Sequence, residues 1–132
     1  MNNNDYPHAD LTRRIIGCAF RVYNALGPAL PEVVYKNALQ IAFRKDGINH
    51  EREAPVRVFF EGEFAGRFYA DFMCEKVVVL EVKAGKSLVE EHELQVKGYQ
   101  ILSKKPVALL LNFGPQKVEI HRRVETRFEQ SA

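Results

Sequence analysis

The sequence predicts an α/β domain with a mixed central sheet flanked by helices, its elements ordered α-α-β-β-β-α-β-β. Three observations point there. Apolar residues recur at helical spacing near the start of the chain, and beyond Leu88 a glutamate-rich opening with Gln95 and Tyr99 four apart marks another helix. Between these stretches, residues 55–83 alternate or run apolar as strands do, with a tight turn among them. Pro106-Val107-Ala108-Leu109-Leu110-Leu111 is an unbroken apolar run, the pattern of a central strand covered on both faces.

The first helix is expected to be capped by Asp10, with Leu11, Ile15, Cys18/Ala19, Val22 and Leu26 along its apolar face. Gly27-Pro28 stops it. A second helix begins near Pro31 and ends before Gly47. Val34, Ala38 and Ile41 read as its core face, and Glu32 and Tyr35 are stacked neighbours on the next face. Pro55–Phe60 and Phe64–Met73 form a hairpin around Glu61-Gly62-Glu63, with Phe68, Ala70 and Phe72 sharing one face and Tyr69 and Asp71 the other. A third strand covers Val77–Lys83. A helix from about Leu88 to Leu102 follows, its first turn rich in glutamate, as a positive helix N-terminus favours. Asn112 to Pro115 reads as a turn and Val118–Val124 as the last strand.

The chain has 132 residues, 46% hydrophobic and 27% charged, which suits one domain with a real core. The expected organisation is a flexible N-terminal stretch over 1–9, a single domain over 10–125 and a tail over 126–132. No run of about 20 apolar residues exists to span a bilayer, and the start lacks the pattern of a secretory signal, so no membrane partner and a cytoplasmic location are expected. Cys18 and Cys74 lack metal-ligand spacing and read as buried free thiols. The net charge of +2 excludes a strongly basic nucleic-acid coat, though basic residues gather toward the C-terminal third.

Leu80-Glu81-Val82-Lys83 carries the chemistry. Glu81 and Lys83 point the same way, roughly 6.6 Å apart along a strand. Asp71, ten residues earlier on the preceding strand, reaches the same patch across a hairpin. Two acids and a lysine at a strand end suit a divalent cation and an activated water. A solvated cross-strand pair worth ~0.2–1 kcal/mol is the plainer alternative. On the later helix, Gln95 and Tyr99 share a face.

An Asp on one strand, Glu-x-Lys on the next and a helix bearing Gln-x-x-x-Tyr resembles the PD-(D/E)XK nuclease superfamily, whose αβββαβ core order the chain shares. More narrowly the chain resembles the GxxExxY family, in Ile15-Ile16-Gly17, Leu26-Gly27-Pro28, Glu32-Val33-Val34-Tyr35, Asp71, Glu81-Val82-Lys83, Gln95-Val96-Lys97-Gly98-Tyr99 and Leu111-Asn112-Phe113-Gly114. The family's naming glycine falls on Ala29, a cheap replacement unless the backbone there needs positive φ. Tyr69-Ala70 stands where the superfamily motif is written with proline.

The resemblance implies a restriction-endonuclease-like fold and a metal-dependent nuclease acting on nucleic acid, DNA ahead of RNA. It implies magnesium or manganese on Asp71 and Glu81, with the Val82 carbonyl and Glu32 as further ligands. Lys83 would orient or stabilise the attack, and Glu32, Gln95 and Tyr99 would border the reacting groups. A rim of Lys83, Lys97, Lys104, Lys105, Arg122 and Arg123 would meet phosphates. Such a short chain has little room for a recognition domain, which makes a homodimer or a protein partner attractive. The alternative is a non-catalytic nucleic-acid- or protein-binding module on the same scaffold.

Overall fold

The computed structural model describes residues 7–131, with side chains through Phe128. Most of the expected N-terminal stretch (1–6) and Ala132 of the tail lie outside the described residues. The elements are α1 (Ala9–Leu26), α2 (Glu32–Lys45), β1 (His50–Phe60), β2 (Glu63–Cys74), β3 (Val78–Lys83), α3 (Glu90–Ser103), β4 (Val107–Phe113) and β5 (Val118–Val124), then a 3₁₀ turn over Thr126–Ser131. One five-stranded sheet runs in the order β1-β2-β3-β4-β5, antiparallel except for β3 and β4. α3 makes the crossover that a parallel pair requires. This is the expected α/β architecture, a mixed sheet flanked by helices of restriction-endonuclease-like type.

The sheet separates two cores. Phe72, Val78, Leu80, Val82, Leu109 and Leu111 pack under α1 and α2, against Ile15, Cys18, Leu39 and Phe43. Ala54, Ala70, Val79, Ala108 and Leu110 pack under α3, against Val96. β4 is buried along its whole length, as its unbroken apolar run requires. Both cysteines are free and buried, and burial pushes the Cys74 thiol up to about 12.

Local details depart from the sequence reading for physical reasons. Asp10 is not the cap of α1. His8 takes that place in a left-handed conformation, and Asp10 in the first turn pairs with Arg13 at 2.7 Å. The core face of α2 is Tyr35, Leu39, Ala42 and Phe43, while Ile41 is exposed. Tyr35 is drawn inward because its ring stacks on Phe113 at 4.4 Å and its hydroxyl donates to the Gly27 carbonyl at 2.6 Å. β1 begins five residues before the expected Pro55, since an edge strand tolerates the outward charges of His50–Glu53. Asn112 and Phe113 belong to β4 rather than to a turn.

The departure with most consequence lies in β2. Phe68 stacks on Tyr99 of α3 at 4.2 Å and Ala70 packs on the same side, but Phe72 meets Phe43 of α2 at 5.4 Å on the other side. The strict alternation expected for Phe68, Ala70 and Phe72 therefore breaks at Asp71. Opposite it, Glu53 has φ 51, and the ladder pairs Arg52 with Phe72 and Ala54 with Ala70 but skips the two residues between. Irregularities of this kind re-aim side chains.

Candidate active site

The ladder between β2 and β3 lasts three pairs, Cys74 with Val78, Met73 with Val79 and Phe72 with Leu80, and then stops. Beyond it the two strands are joined through their carboxylates. The Asp71 N–H donates to Glu81 Oε2 at 2.7 Å, and the Val82 N–H donates to Asp71 Oδ2 at 2.8 Å. Each acid satisfies a backbone donor that the lost ladder would leave buried and unpaired. The sequence-derived pair thus meets at the point where the strands part.

Glu81 is 4% exposed. Burial, then the adjacent Asp71 charge, pushes its carboxyl up to about 8, against the partial opposition of the Asp71 N–H, Lys83 and Lys36. Two carboxylates this close cannot both ionise cheaply. Asp71 is paired with Lys36, whose ammonium donates to Asp71 Oδ1 at 2.8 Å and lies 3.6 Å from Glu32 and 3.7 Å from Glu53. Burial opposes the Lys36 charge, but the Asp71 hydrogen bond and the charges of Asp71, Glu32 and Glu53 outweigh it and raise its pKa.

Glu32 opens α2, so its carboxylate approaches Asp71 from the α2 side and touches it only through Lys36. Gln95 and Tyr99 come from α3 on the opposite face, joined by a hydrogen bond from Gln95 Nε2 to the Tyr99 hydroxyl at 3.1 Å. Desolvation and the charges of Glu81 and Asp71 raise the Tyr99 pKa, which places its hydroxyl within their field. Lys83 is half-buried on the β3 face that Glu81 shares and forms no hydrogen bond or ion pair among the described residues. Among the described residues no three acidic, histidine or cysteine side chains converge into a ready-made cation cage.

Lys36 and Glu53 were missed in the sequence. Lys36 carried a signal, standing four residues after Glu32 on one helical face. Glu53 carried none, because its contribution depends on the break in the hairpin. Of the expected basic rim, Arg123 is spent internally on Gln100 at 2.7 Å and on Glu125, and Arg122 holds the Pro7 carbonyl at 2.8 Å. A second polar joint stands where β3 ends. The buried Asn112 amide accepts from the Gly85 N–H, and donates to the Gly85 carbonyl and to Glu119.

The profile of the PD-(D/E)XK nuclease superfamily matches residues 9–124, nearly the whole described chain. The chain belongs to the PD-(D/E)XK nuclease superfamily. A comparison with curated proteins gives no match. Among solved structures, the crystal structure of SSO0001 superposes with a TM-score of 0.51 at 16% identity, a likeness of fold. The match covers 74% of this chain but only 53% of that one, so this chain spans about half the length of its structural relative. Among the described residues no helix is long and apolar enough to cross a membrane.

Proposed function

We propose that the chain is a metal-dependent nuclease of the GxxExxY type, hydrolysing phosphodiester bonds in DNA ahead of RNA. The observation that carries this reading is the reciprocal clamp of Asp71 and Glu81 at the parting of β2 and β3, with Lys83 two residues beyond Glu81.

The donor chemistry fits a hard divalent cation. Asp71 has the Lys36 ammonium as its partner, while Glu81 beside it has no ion pair among the described residues, and burial with the Asp71 charge pushes its carboxyl up to about 8. A cation with two charges satisfies both acids at once. Asp71 and Glu81 would hold it, with the Val82 carbonyl and Glu32 as further oxygen donors. Bound there, magnesium or manganese supplies Lewis acidity toward phosphate and water.

The chain's own groups do the rest. Lys83 places an ammonium where negative charge grows on the phosphate during attack. Gln95 and Tyr99, coupled by their hydrogen bond, present a fixed donor and hydroxyl to position the scissile phosphate or the water. Glu32 gives the Lys36 ammonium a second anionic partner beside Asp71, since both carboxylates contact it.

A second reading has its own observation. Lys36 already neutralises Asp71, so the clamp serves equally as a structural joint in a non-catalytic nucleic-acid- or protein-binding module. One experiment separates the two. Single-stranded, duplex and branched DNA and RNA are incubated with magnesium or manganese and the wild-type chain. At least one should be cut, with Asp71→Asn and Glu81→Gln abolishing turnover while circular dichroism stays native. Lys83→Ala should lower kcat by about 10²–10³ with little change in KM. Full activity of Glu81→Gln, or undiminished cleavage in excess chelator, overturns the nuclease reading. Binding without any cleavage selects the module.

A further inference from the structure

The distal half of the β1–β2 hairpin carries apolar and basic groups that neither core uses. Phe59, Phe60, Phe64 and Tyr69 are 54, 67, 55 and 49% exposed. Phe59 and Phe64 face each other across the strands, ring centroids 5.8 Å apart and edge to face. The Arg57 guanidinium lies 5.3 Å from the Phe59 ring and 5.8 Å from the Phe64 ring, and Arg67 lies 6.0 Å from that of Tyr69. Phe68 points the other way, onto Tyr99 of α3, so alternation puts Arg67 and Tyr69 on the open face.

Arg57 and Arg67 are directly paired in register, both exposed, and among the described residues neither is matched to a carboxylate. Like charges directly opposite one another destabilise a hairpin. The acidic side chains of the turn, Glu61 and Glu63, form no ion pair with them. What remains unsatisfied is a polyanion over the two guanidiniums and flat partners over the exposed rings.

We propose that this hairpin face is a stacking platform for a single-stranded stretch of nucleic acid. Bases lie on Phe59, Phe64 and Tyr69, and phosphates meet Arg57 and Arg67. Aromatic rings interleaved with arginines are the means by which proteins hold unpaired strands without reading sequence. The platform leads toward the clamp. Arg67 precedes Asp71 by four residues on β2, about 13 Å at strand rise. That is the span of about four stacked nucleotides. This direction of travel rests on the nuclease reading above; the binding itself does not.

The test measures anisotropy of a fluorescein-labelled oligothymidylate in chelator, across a salt series, with a duplex of equal length for comparison. Wild type should bind the single strand more tightly than the duplex. Phe59→Ser/Phe64→Ser should weaken single-strand binding about tenfold or more. Arg57→Ala/Arg67→Ala should flatten the log–log salt slope by about 1.4, two phosphate contacts at about 0.7 each. The chain has no tryptophan, so Phe64→Trp installs a sole indole whose emission should be quenched as bases stack on it while affinity is kept. Circular dichroism verifies that each variant is folded, and Phe64→Trp keeps the proposal falsifiable if the serine variant is not. Wild-type affinity in both double variants, or an indole blind to the oligonucleotide, overturns the platform. So does a concentration-dependent dimer that the serine substitutions dissolve without changing nucleic-acid binding. Wild-type binding in both double variants, together with cleavage in magnesium equal to wild type, sinks the platform and spares the nuclease. Platform binding with no cleavage of any substrate sinks the nuclease and spares the platform.

Discussion

Strand β3 has two unlike neighbours. Toward β4 it is laddered along six residue pairs, Val78 with Val107 through Lys83 with Asn112. Toward β2 it is laddered over three, and then two carboxylates take over the backbone donors. The first side is apolar except at Glu81, Lys83 and Asn112 and owes its stability to packing and backbone hydrogen bonds. The second makes its stability conditional on protonation, because an acid that replaces a ladder carbonyl can ionise and a carbonyl cannot. The seam is where a fold of this kind can place chemistry without disturbing the sheet beside it.

The largest test of that contrast is pH. Glu81 titrates near its ordinary value of 4.5 when unfolded and near about 8 in the fold. Between those values the unfolded chain binds fewer protons at this site, so its contribution favours the fold below 4.5 and is lost as pH rises through about 8. The slope is at most about 1.4 kcal/mol per pH unit, a few kcal/mol over the window. Urea denaturation at several pH values should show Glu81→Gln flattening this decline and exceeding wild type at alkaline pH. Magnesium should restore wild-type stability there. Parallel profiles for wild type and Glu81→Gln would mean that the seam is no more conditional than the ladder.

Lys36→Met sharpens the same contrast. Lys36 and Asp71 are 15 and 14% exposed, so the substitution strands a nearly buried anion. In chelator it should cost about 3 kcal/mol. If Asp71 holds the ion as proposed, the magnesium-induced rise in Tm should exceed that of wild type, because Lys36 no longer occupies Asp71 Oδ1. An equal rise in both proteins would show that lysine and metal do not share a place.

Asn112 mends the far end of β3 differently, since an amide both donates and accepts. Asn112→Asp removes the donor to the Gly85 carbonyl and sets a carboxylate against Glu119. A loss of about 1–3 kcal/mol at neutral pH is expected, shrinking on acidification. A loss independent of pH would assign the effect to packing alone.

How much of this was legible follows from which signals are local. The order of elements and the double burial of β4 were readable because period and apolar run are written in consecutive residues. Asp71, Glu81 and Lys83 were readable because a strand and its hairpin neighbour have fixed reach. The inward turn of Tyr35 was hidden, since it depends on Phe113 far along the chain. The break of alternation at Asp71 was hidden too. No residue between Ala70 and Phe72 announces it, and only the packing of α2 on one face and α3 on the other enforces it. Lys36 fell between these cases: its helical spacing from Glu32 was visible, but its reach to Asp71 was not.

The smallest expected effect lies away from the seam and calibrates it. Ala29, where the resemblance to the GxxExxY family would put its naming glycine, has φ 67, the left-handed region where a Cβ is strained. The loop is pinned there because Tyr35 spans it, donating to the Gly27 carbonyl and accepting from the Leu30 N–H. The positive φ that makes glycine preferable is therefore present, and the alanine carries its cost. Ala29→Gly should stabilise by about 1 kcal/mol, since relief of strain outweighs the added freedom of the unfolded chain. Thermal denaturation should show a rise of a few degrees. The gain should be the same between about pH 4 and 8 and with or without magnesium, because the strain lies in the Ala29 backbone and not in the Asp71–Glu81 clamp. A gain that varied with pH as the Glu81 effect does would couple this loop to the clamp through α2, and would extend the conditional region of the molecule beyond the seam.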